Sequence, residues 1–374
     1  MTARLRDVVA ALDELYPPHW AESWDAVGLV VGDPEALVRR VLFAIDPVDV
    51  VVAEAAERGA DLLVTHHPLY LRGTTSVAAT DPKGRVVHRL VSGRCGLFVA
   101  HTNADVACPG VSDALAEAVG LLDTEPLEPL VADPLDKLVV FVPVADAERV
   151  LDAVAAEGAG AVGDYDRCAW TTVGEGTFRP LPGASPTVGS VGEVARVAET
   201  RLEVVLPRPR RAAVVRAMLS AHPYEEPAYD VVELASVPGR RGLGRVGRLQ
   251  EPVTVEELTR TVAQALPATA AGVRASGDPM RVVEHLAVCG GAGDSLLRTA
   301  AASGADAFLT ADLRHHPSSE APEGLALLDA AHWATEWPWL ADAAARLADA
   351  TTVDTAVSTL VPDPWTTHAR STTP

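Results

Sequence analysis

The chain has 374 residues, 48% hydrophobic and 22% charged, with a formal net charge of −20. That length exceeds what one hydrophobic core usually serves, so two or three domains are expected, and the balance is that of a globular rather than a disordered or fibrous protein. Its acidity argues against a broad interface with nucleic-acid phosphates or anionic lipid, which want clustered Lys and Arg, whereas bound metal ions could bring local positive charge to an anionic substrate.

The opening MTARLRDVVAALDELYPP is interrupted by Arg4, Arg6, Asp7, Asp13 and Glu14 and reads as an amphipathic helix, not a signal peptide. No later apolar run reaches spanning length, and Cys95, Cys108, Cys168 and Cys289 form no CxxC pair. A cytoplasmic setting without membrane contact is expected. VRRVLFAID then reads as a strand, VVAEAAERGA as a helix, DLLVTHHP as a strand, VVHRLVSGRCG as a helix and LFVAHTNAD as a strand. Such alternation predicts a parallel sheet with functional groups at the carboxyl ends of its strands, where His66, His67, His101 and Asp105 fall.

Residues 130–238 read as an insert with its own repeat: LVVFVP and the helix AERVLDAVAAEGAG, then LEVVLP and the helix RAAVVRAMLSAH, joined by the Gly- and Pro-rich GEGTFRPLPGASPTVGSVGE as a loop or hairpin. Two such units suit a ferredoxin-like α+β domain. Beyond it the first grammar returns, with HLAVCGG, DAFLTADLRHH and LALLDAAH as strands, DSLLRTAAASG as a helix and a last helix through WLADAAARLA. The expected class is therefore α/β, with two similar α/β halves (1–129 and 239–374) building one core and an inserted α+β domain (130–238). The tail from Val361 has no periodicity and is expected to be extended or frayed.

GADLLVTHHP at 59–68 is echoed by GADAFLTADLRHHP at 304–317, and His101-x-x-x-Asp105 by His332-x-x-x-Glu336. This reads as a duplication whose halves face each other across one site. Adjacent histidines on a strand point to opposite faces, so His66 and His67 can converge only where the strand stops, and Pro68 stops it. His332 and Glu336 share one face of a helical turn, with Trp333 and Trp337 as an apolar rim. Together these imidazoles and carboxylates form a mixed N/O donor set suited to Zn, Fe, Mn, Co or Ni, and five or six donors exceed what one tetrahedral ion takes. Two ions about 3.5 to 4 Å apart, bridged by Glu336, are the natural solution.

Other features leave alternatives open. His315 and His316 are either outer support or substrate contacts, or a solvated turn; Asp312 precedes them. Asp25 is an outer carboxylate or an ordinary cap. GLGRVG at 242–247 lacks the strand and helix that a dinucleotide loop needs, and CGGAGDSL at 289–296 reads as a tight strand-to-helix turn in preference to a phosphate cradle. HPYEEPAYD at 222–230 reads as a structural turn more than as the lining of a site entrance.

SWDAVGLVVGDP, THHPLYLR, HTNAD, AVCGGAGDSL, TADLRHH and DAAHWATE resemble the NIF-three-like dinuclear metal-centre hexameric proteins, often called GTP cyclohydrolase I type 2 homologues. GDYDRC, GEGTFRP and AHPYEEPAYD are similar to the middle domain of the long-form members. The resemblance implies a dinuclear site on His66, His67, Asp105, His332 and Glu336, with His101 adjacent, and a ring-shaped homohexamer with an unidentified small-molecule substrate. Ala311 and Ala331 stand where members usually have Gly, and VPDPW where Asn-Thr is common, none of which removes a ligand. The expected function is a metal-dependent hydrolase of a purine ring or phosphate ester, in which two ions lower the pKa of a bridging water from 15.7 towards about 7. The alternative is a non-catalytic metal-binding regulatory, storage or trafficking protein.

Overall fold

A computed structural model describes residues 3–369. The chain divides into two compact units, one of Met1–Leu130 with Gly239–Pro374 and one of Val131–Pro238.

The first unit opens with β1 (Ala3–Arg4) and α1 (Leu5–Leu15), whose Leu5, Val8 and Leu12 fall on one face and are buried. There follow β2 (Gly28–Val31), β3 (Leu37–Val38), which pairs with β1, β4 (Arg40–Ala44), α2 (Asp49–Glu57) and β5 (Leu62–Thr65). Next come α3 (Pro82–Gly93), capped by the Asp81 carboxylate with Pro82 in its first turn, then β6 (Gly96–Val99), α4 (Thr102–Asp105), α5 (Val111–Ala118) and β7 (Leu121–Val131).

The second unit contains β8 (Leu135–Pro143), α6 (Ala147–Ala156), β9 (Ala169–Phe178), β10 (Ala195–Pro207), α7 (Arg211–Ala221) and β11 (Tyr229–Glu233). Its strands are all antiparallel in the order β11-β8-β10-β9, the order of a split βαβ unit. Val150, Val154, Val214 and Met218 of the two helices pack on Leu138, Val140, Leu202 and Val204, which alternate along the strands toward one face. The Gly- and Pro-rich stretch divides: Gly174–Phe178 continue β9, and only residues 179–194 form a loop.

The chain then returns to the first unit with β12 (Pro238–Thr254) and α8 (Val255–Ala265), whose Thr254 and Glu257 form a capping box. β13 (Arg274–Ala275), β14 (Val282–Ala292), α9 (Leu297–Ala302), β15 (Ala307–Ala311), α10 (His315–Ser319), β16 (Ala326–Ala330), α11 (His332–Glu336), α12 (Trp339–Ala350) and β17 (Asp354–Val357) complete it. GLGRVG lies inside strand β12, which rules out its reading as a nucleotide loop. DLRHH is not strand: β15 stops at Ala311, and the two histidines begin a short helix. The tail through residue 369 carries neither helix nor strand, and its last five residues, like residues 1–2 of the first predicted helix, lie outside the described residues. No helix among the described residues is long and apolar enough to cross a membrane.

Two sheets organise this unit. One runs β17-β4-β5-β6-β2 and the other β13-β16-β15-β14-β12-β7. β4-β5-β6 and β14-β15-β16 are parallel, and their central segments, Leu286–Cys289 in β14, are almost wholly buried, which is why they read as continuous apolar runs. The Gly-Ala-Asp echo does the same work in both. Gly59 and Gly304 adopt left-handed conformations (φ 63° and 83°), Ala60 and Ala305 are buried, and the Asp61 and Asp306 carboxylates each accept from two successive amides of the neighbouring strand at 2.8–3.0 Å. The halves also exchange strands: β7 joins the later sheet and β17 the earlier one. One core runs through both, from Leu5 and Phe43 to Leu309 and Trp339.

Candidate metal centre

Each histidine sits where a strand hands over to the next element. The ladder of β5 runs on past Thr65, with His66 N donating to Ala44 O (3.2 Å) and His67 N to Ile45 O (2.9 Å), and then breaks at Pro68. His101 is the N-cap of α4, the short helix that ends at Asp105. His332 and Glu336 are the first and last residues of α11, one turn apart.

These side chains converge. Ligating atoms of His66, His67 and His101 lie within 4.8 Å of one another, as do those of His67, His332 and Glu336, so that His67 belongs to both groups. Glu336 is 3% exposed and spans the cluster: Oε1 lies 2.9 Å from His332 Nε2 and 3.5 Å from His66 Nε2, and Oε2 lies 3.0 Å from His67 Nε2. Asp105 Oδ1 approaches His66 Nε2 at 3.5 Å from the other side. Trp339 packs on His66 with ring centroids 5.3 Å apart, and Trp24 meets His101 edge-on at 6.0 Å.

The opposite ring nitrogens are all engaged. His66 Nδ1 bonds to Ala100 O (2.9 Å), His67 Nδ1 to Asp46 (2.7 Å), His101 Nδ1 to Asp25 (2.9 Å) and His332 Nδ1 to Asp312 (2.8 Å). A carboxylate or carbonyl at Nδ1 fixes the ring and turns Nε2 toward the cluster, the arrangement that metal-ligating histidines use. Asp25 is itself tied by Thr102 N (3.1 Å) and Ala26 N (2.7 Å). Burial works to raise its carboxyl, yet the hydrogen bonds from His101 and Thr102 hold it well below the usual range.

The buried carboxylates of the cluster favour positive charge beside them. Burial should strip the imidazoles of protons, but the Glu336 carboxylate outweighs it: with Asp105 it raises His66, with Asp46 it pushes His67 up to about 11, and with Asp312 it pushes His332 up to about 9. Glu336, despite its burial, is held well below the carboxylate range by His66, His67 and His332. Asp105 is raised, by burial first and by Glu336 against the pull of the imidazoles. Burial, with Asp105 and Glu336, pushes the Cys289 thiol up to about 12, and Cys289 belongs to neither donor group.

A glycine makes room for Glu336. Gly291 has φ 65°, and a Cβ there would lie 2.4 Å from Glu336 Oε1 and 3.1 Å from His332 Nε2. Its peptide is pinned on both sides, its N–H donating to Thr335 Oγ1 (2.9 Å) and its carbonyl accepting from Thr310 Oγ1 (2.9 Å). Cys289–Ala292 are thus not a turn but the irregular end of β14, where the register against β15 shifts, and the missing side chain of Gly291 opens the cluster.

Residues 3–364 match the profile of DUF34/NIF3 (NGG1p interacting factor 3). The chain belongs to this family. A Mycobacterium leprae member named GTP cyclohydrolase 1 type 2 homolog is 50% identical over 375 residues, covering 99% of this chain and 97% of that protein. A Mycobacterium tuberculosis protein of the same name is 51% identical over 370 residues (98% and 97%). Among solved structures, a Bacillus cereus protein related to NIF3 shares 35% identity with a TM-score of 0.84, covering 97% of this chain and 98% of that one.

In this DUF34/NIF3 chain the structure brings together His66, His67, His101, Asp105, His332 and Glu336, and places Asp25 behind His101. His316 is exposed on α10 and belongs to neither group. Trp333 is buried in the core, and the aromatic wall of the cluster is Trp339 and Trp24 instead. Asp46 and Gly291 were not singled out from sequence; the change from apolar strand to Asp in FAIDP was the available signal for the first.

Ladder register also corrects the sequence echoes. Leu62 pairs with Gly96, and Ala307 with Ala326. Counting along the strands, His67 therefore corresponds to Asp312 rather than to a histidine, and His101 to Ala331, one residue before His332. Both carbonyls at that last position cap the following turn in the same way, His101 O accepting from Ala104 N and Asp105 N, Ala331 O from Ala334 N and Thr335 N. The duplication repeats the scaffold, while the donors occupy different positions in each half.

Proposed function

We propose that this DUF34/NIF3 protein holds two divalent cations on His66, His67, His101, Asp105, His332 and Glu336 and uses them to hydrolyse a small substrate. One observation carries the reading: His66 Nε2 and Glu336 Oε2 are buried, point into the cluster and accept or donate no hydrogen bond, although Oε2 lies only 3.0 Å from His67 Nε2. Buried polar atoms are almost always satisfied, so a pair left open among imidazoles and carboxylates fits a cation. Two overlapping donor groups that share His67 offer more than one ion takes. Such ions would lower the pKa of a coordinated water and polarise an electrophile.

The chain's own residues have defined parts. Asp46, Asp312, Asp25 and the Ala100 carbonyl keep the four rings turned with Nε2 inward. Glu336, reaching three imidazoles, joins the two groups. Trp339 closes the cluster behind His66 against water.

Relatives at 50% identity carry the name GTP cyclohydrolase 1 type 2 homolog, so GTP is the first substrate to assay, followed by phosphoesters. The expected result is two equivalents of transition metal per chain in the purified protein and turnover of at least one of these substrates, both lost in Glu336→Gln. A metal-replete protein that leaves GTP and the phosphoester panel intact would refute the hydrolase reading, and an absence of metal at every elemental line would refute the centre itself. A homohexamer is part of the proposal, tested by a solution mass six times the 39.1 kDa of the chain.

A further inference from the structure

The inserted unit has a site of its own. Along β10, Thr200, Leu202 and Val204 face the helices, so Glu199, Arg201 and Glu203 face the other side of the sheet. There the 179–194 loop folds back and is tied down: Ser185 N donates to Glu225 Oε2 (2.8 Å), Thr187 Oγ1 to Pro223 O (2.7 Å) and Gly192 N to Pro180 O (2.8 Å). Beneath it lies a cavity of about 660 Å³, within the size range of small-molecule sites. Phe141, Phe178 and Tyr224 line it, the last two rings 5.6 Å apart at 60°.

Glu199 also lines the cavity and is 8% exposed. The arginines flanking it along the strand are engaged elsewhere, Arg196 with Glu175 and Arg201 with Glu203, and among the described residues no side-chain ion pair reaches Glu199. β9 runs so close that a Cβ on Gly176 would fall 1.9 Å from Glu199 Oε2; glycine there keeps the carboxylate's place open. Tyr224 Oη is buried beside Glu199, and burial first, then the Glu199 carboxylate, pushes that hydroxyl up to about 12. A buried carboxylate favours a cationic hydrogen-bond donor as its partner, and aromatic faces attract cations.

We infer that this cavity binds a small organic cation bearing N–H donors, an amidinium, guanidinium or primary ammonium on an aromatic or alkyl body. Glu199 accepts hydrogen bonds from the charged head, and the Phe141, Phe178 and Tyr224 rings pack on the body. Four carboxylates against two guanidiniums in the lining (Glu175, Glu199, Glu225, Glu226; Arg179, Arg201) favour the same sign of ligand.

Calorimetric titration of the full chain with benzamidine and with benzamide, its neutral isostere, tests this. The amidine should bind at least tenfold more tightly. Glu199→Gln, nearly isosteric, should erase the preference, and Gly176→Ala, which displaces the carboxylate without removing its charge, should weaken amidine binding at least as far as tenfold. Glu336→Gln should bind benzamidine like the wild type, which separates this site from the metal centre. Equal binding of amide and amidine, no binding of benzamidine or agmatine at millimolar concentration, or an unchanged amidine affinity in Glu199→Gln would overturn the inference.

Discussion

Replacing Gly291 by alanine tests whether the chain has been shaped around the Glu336 carboxylate. The added methyl would sit 2.4 Å from Oε1, whereas a normal contact needs at least about 3.4 Å, so the carboxylate must retreat by about 1 Å. Metal–ligand distances tolerate about 0.2 Å, and disturbing the support of a ligand typically costs roughly 10- to 100-fold in affinity. Separately, φ 65° puts a side chain in the left-handed region, which costs about 1–2 kcal/mol. Gly272→Ala isolates that second effect: its φ is 61°, and a Cβ there meets nothing within 4 Å. Metal per chain after dialysis against a weak chelator, measured by plasma mass spectrometry beside urea unfolding, should show both variants destabilised, Gly291→Ala the more, and only Gly291→Ala depleted. If Gly291→Ala keeps its full metal complement, or Gly272→Ala loses as much, the steric argument for the centre is wrong.

Asp46→Asn should leave the fold intact but loosen the His67 ring by replacing its 2.7 Å carboxylate partner, lowering metal affinity roughly 10- to 100-fold in a competition titration; unchanged affinity would remove Asp46 from the support. Arg245 is 1% exposed and bonds to both Asp113 oxygens (2.7 and 2.6 Å) and to the carbonyls of Gly242, Gly244 and Ala107. Arg245→Ala strands that carboxylate and those carbonyls, and about 3–5 kcal/mol should be lost in urea unfolding; a loss near zero would show that water replaces the guanidinium. In the inserted unit, Arg211 and then Arg208 hold the buried Asp136 carboxyl below the usual range, at 2.6 and 3.0 Å. The folded state therefore binds its proton less readily than the unfolded one, and the contribution is complete above about pH 4 and drains away as pH falls through the folded value. Urea midpoints of the wild type should fall more steeply below pH 4 than those of Asp136→Asn, and parallel acid limbs would refute the assignment.

The family, the mixed α/β class and the residues that gather at the centre were legible in sequence because they depend on local chemistry. Apolar runs bounded by glycine and proline mark buried parallel strands, and histidines placed where those runs stop can only face outward from a strand end. Equivalence between the halves was not legible in letters. His-His-Pro recurs at 315–317, yet hydrogen-bond register aligns His67 with Asp312, because a strand ending at Ala311 leaves three residues before the second pair. A match of side chains carries no information about ladder register, which is set by pairing with a neighbouring strand.

Other features exist only in three dimensions. Asp46, 21 residues before His67, meets it because β4 and β5 lie side by side in parallel. Strands β7 and β17 cross into the opposite sheets because a sheet edge accepts any strand of the right length and register, wherever it lies in the chain. Gly291 and Gly176 look alike in the sequence as breaks in apolar or polar runs, and only the distance from each missing Cβ to a buried carboxylate tells that one opens the candidate metal centre and the other the cavity of the insert. Sequence determines which groups are available and where local structure must end; packing decides which of them come to share one volume.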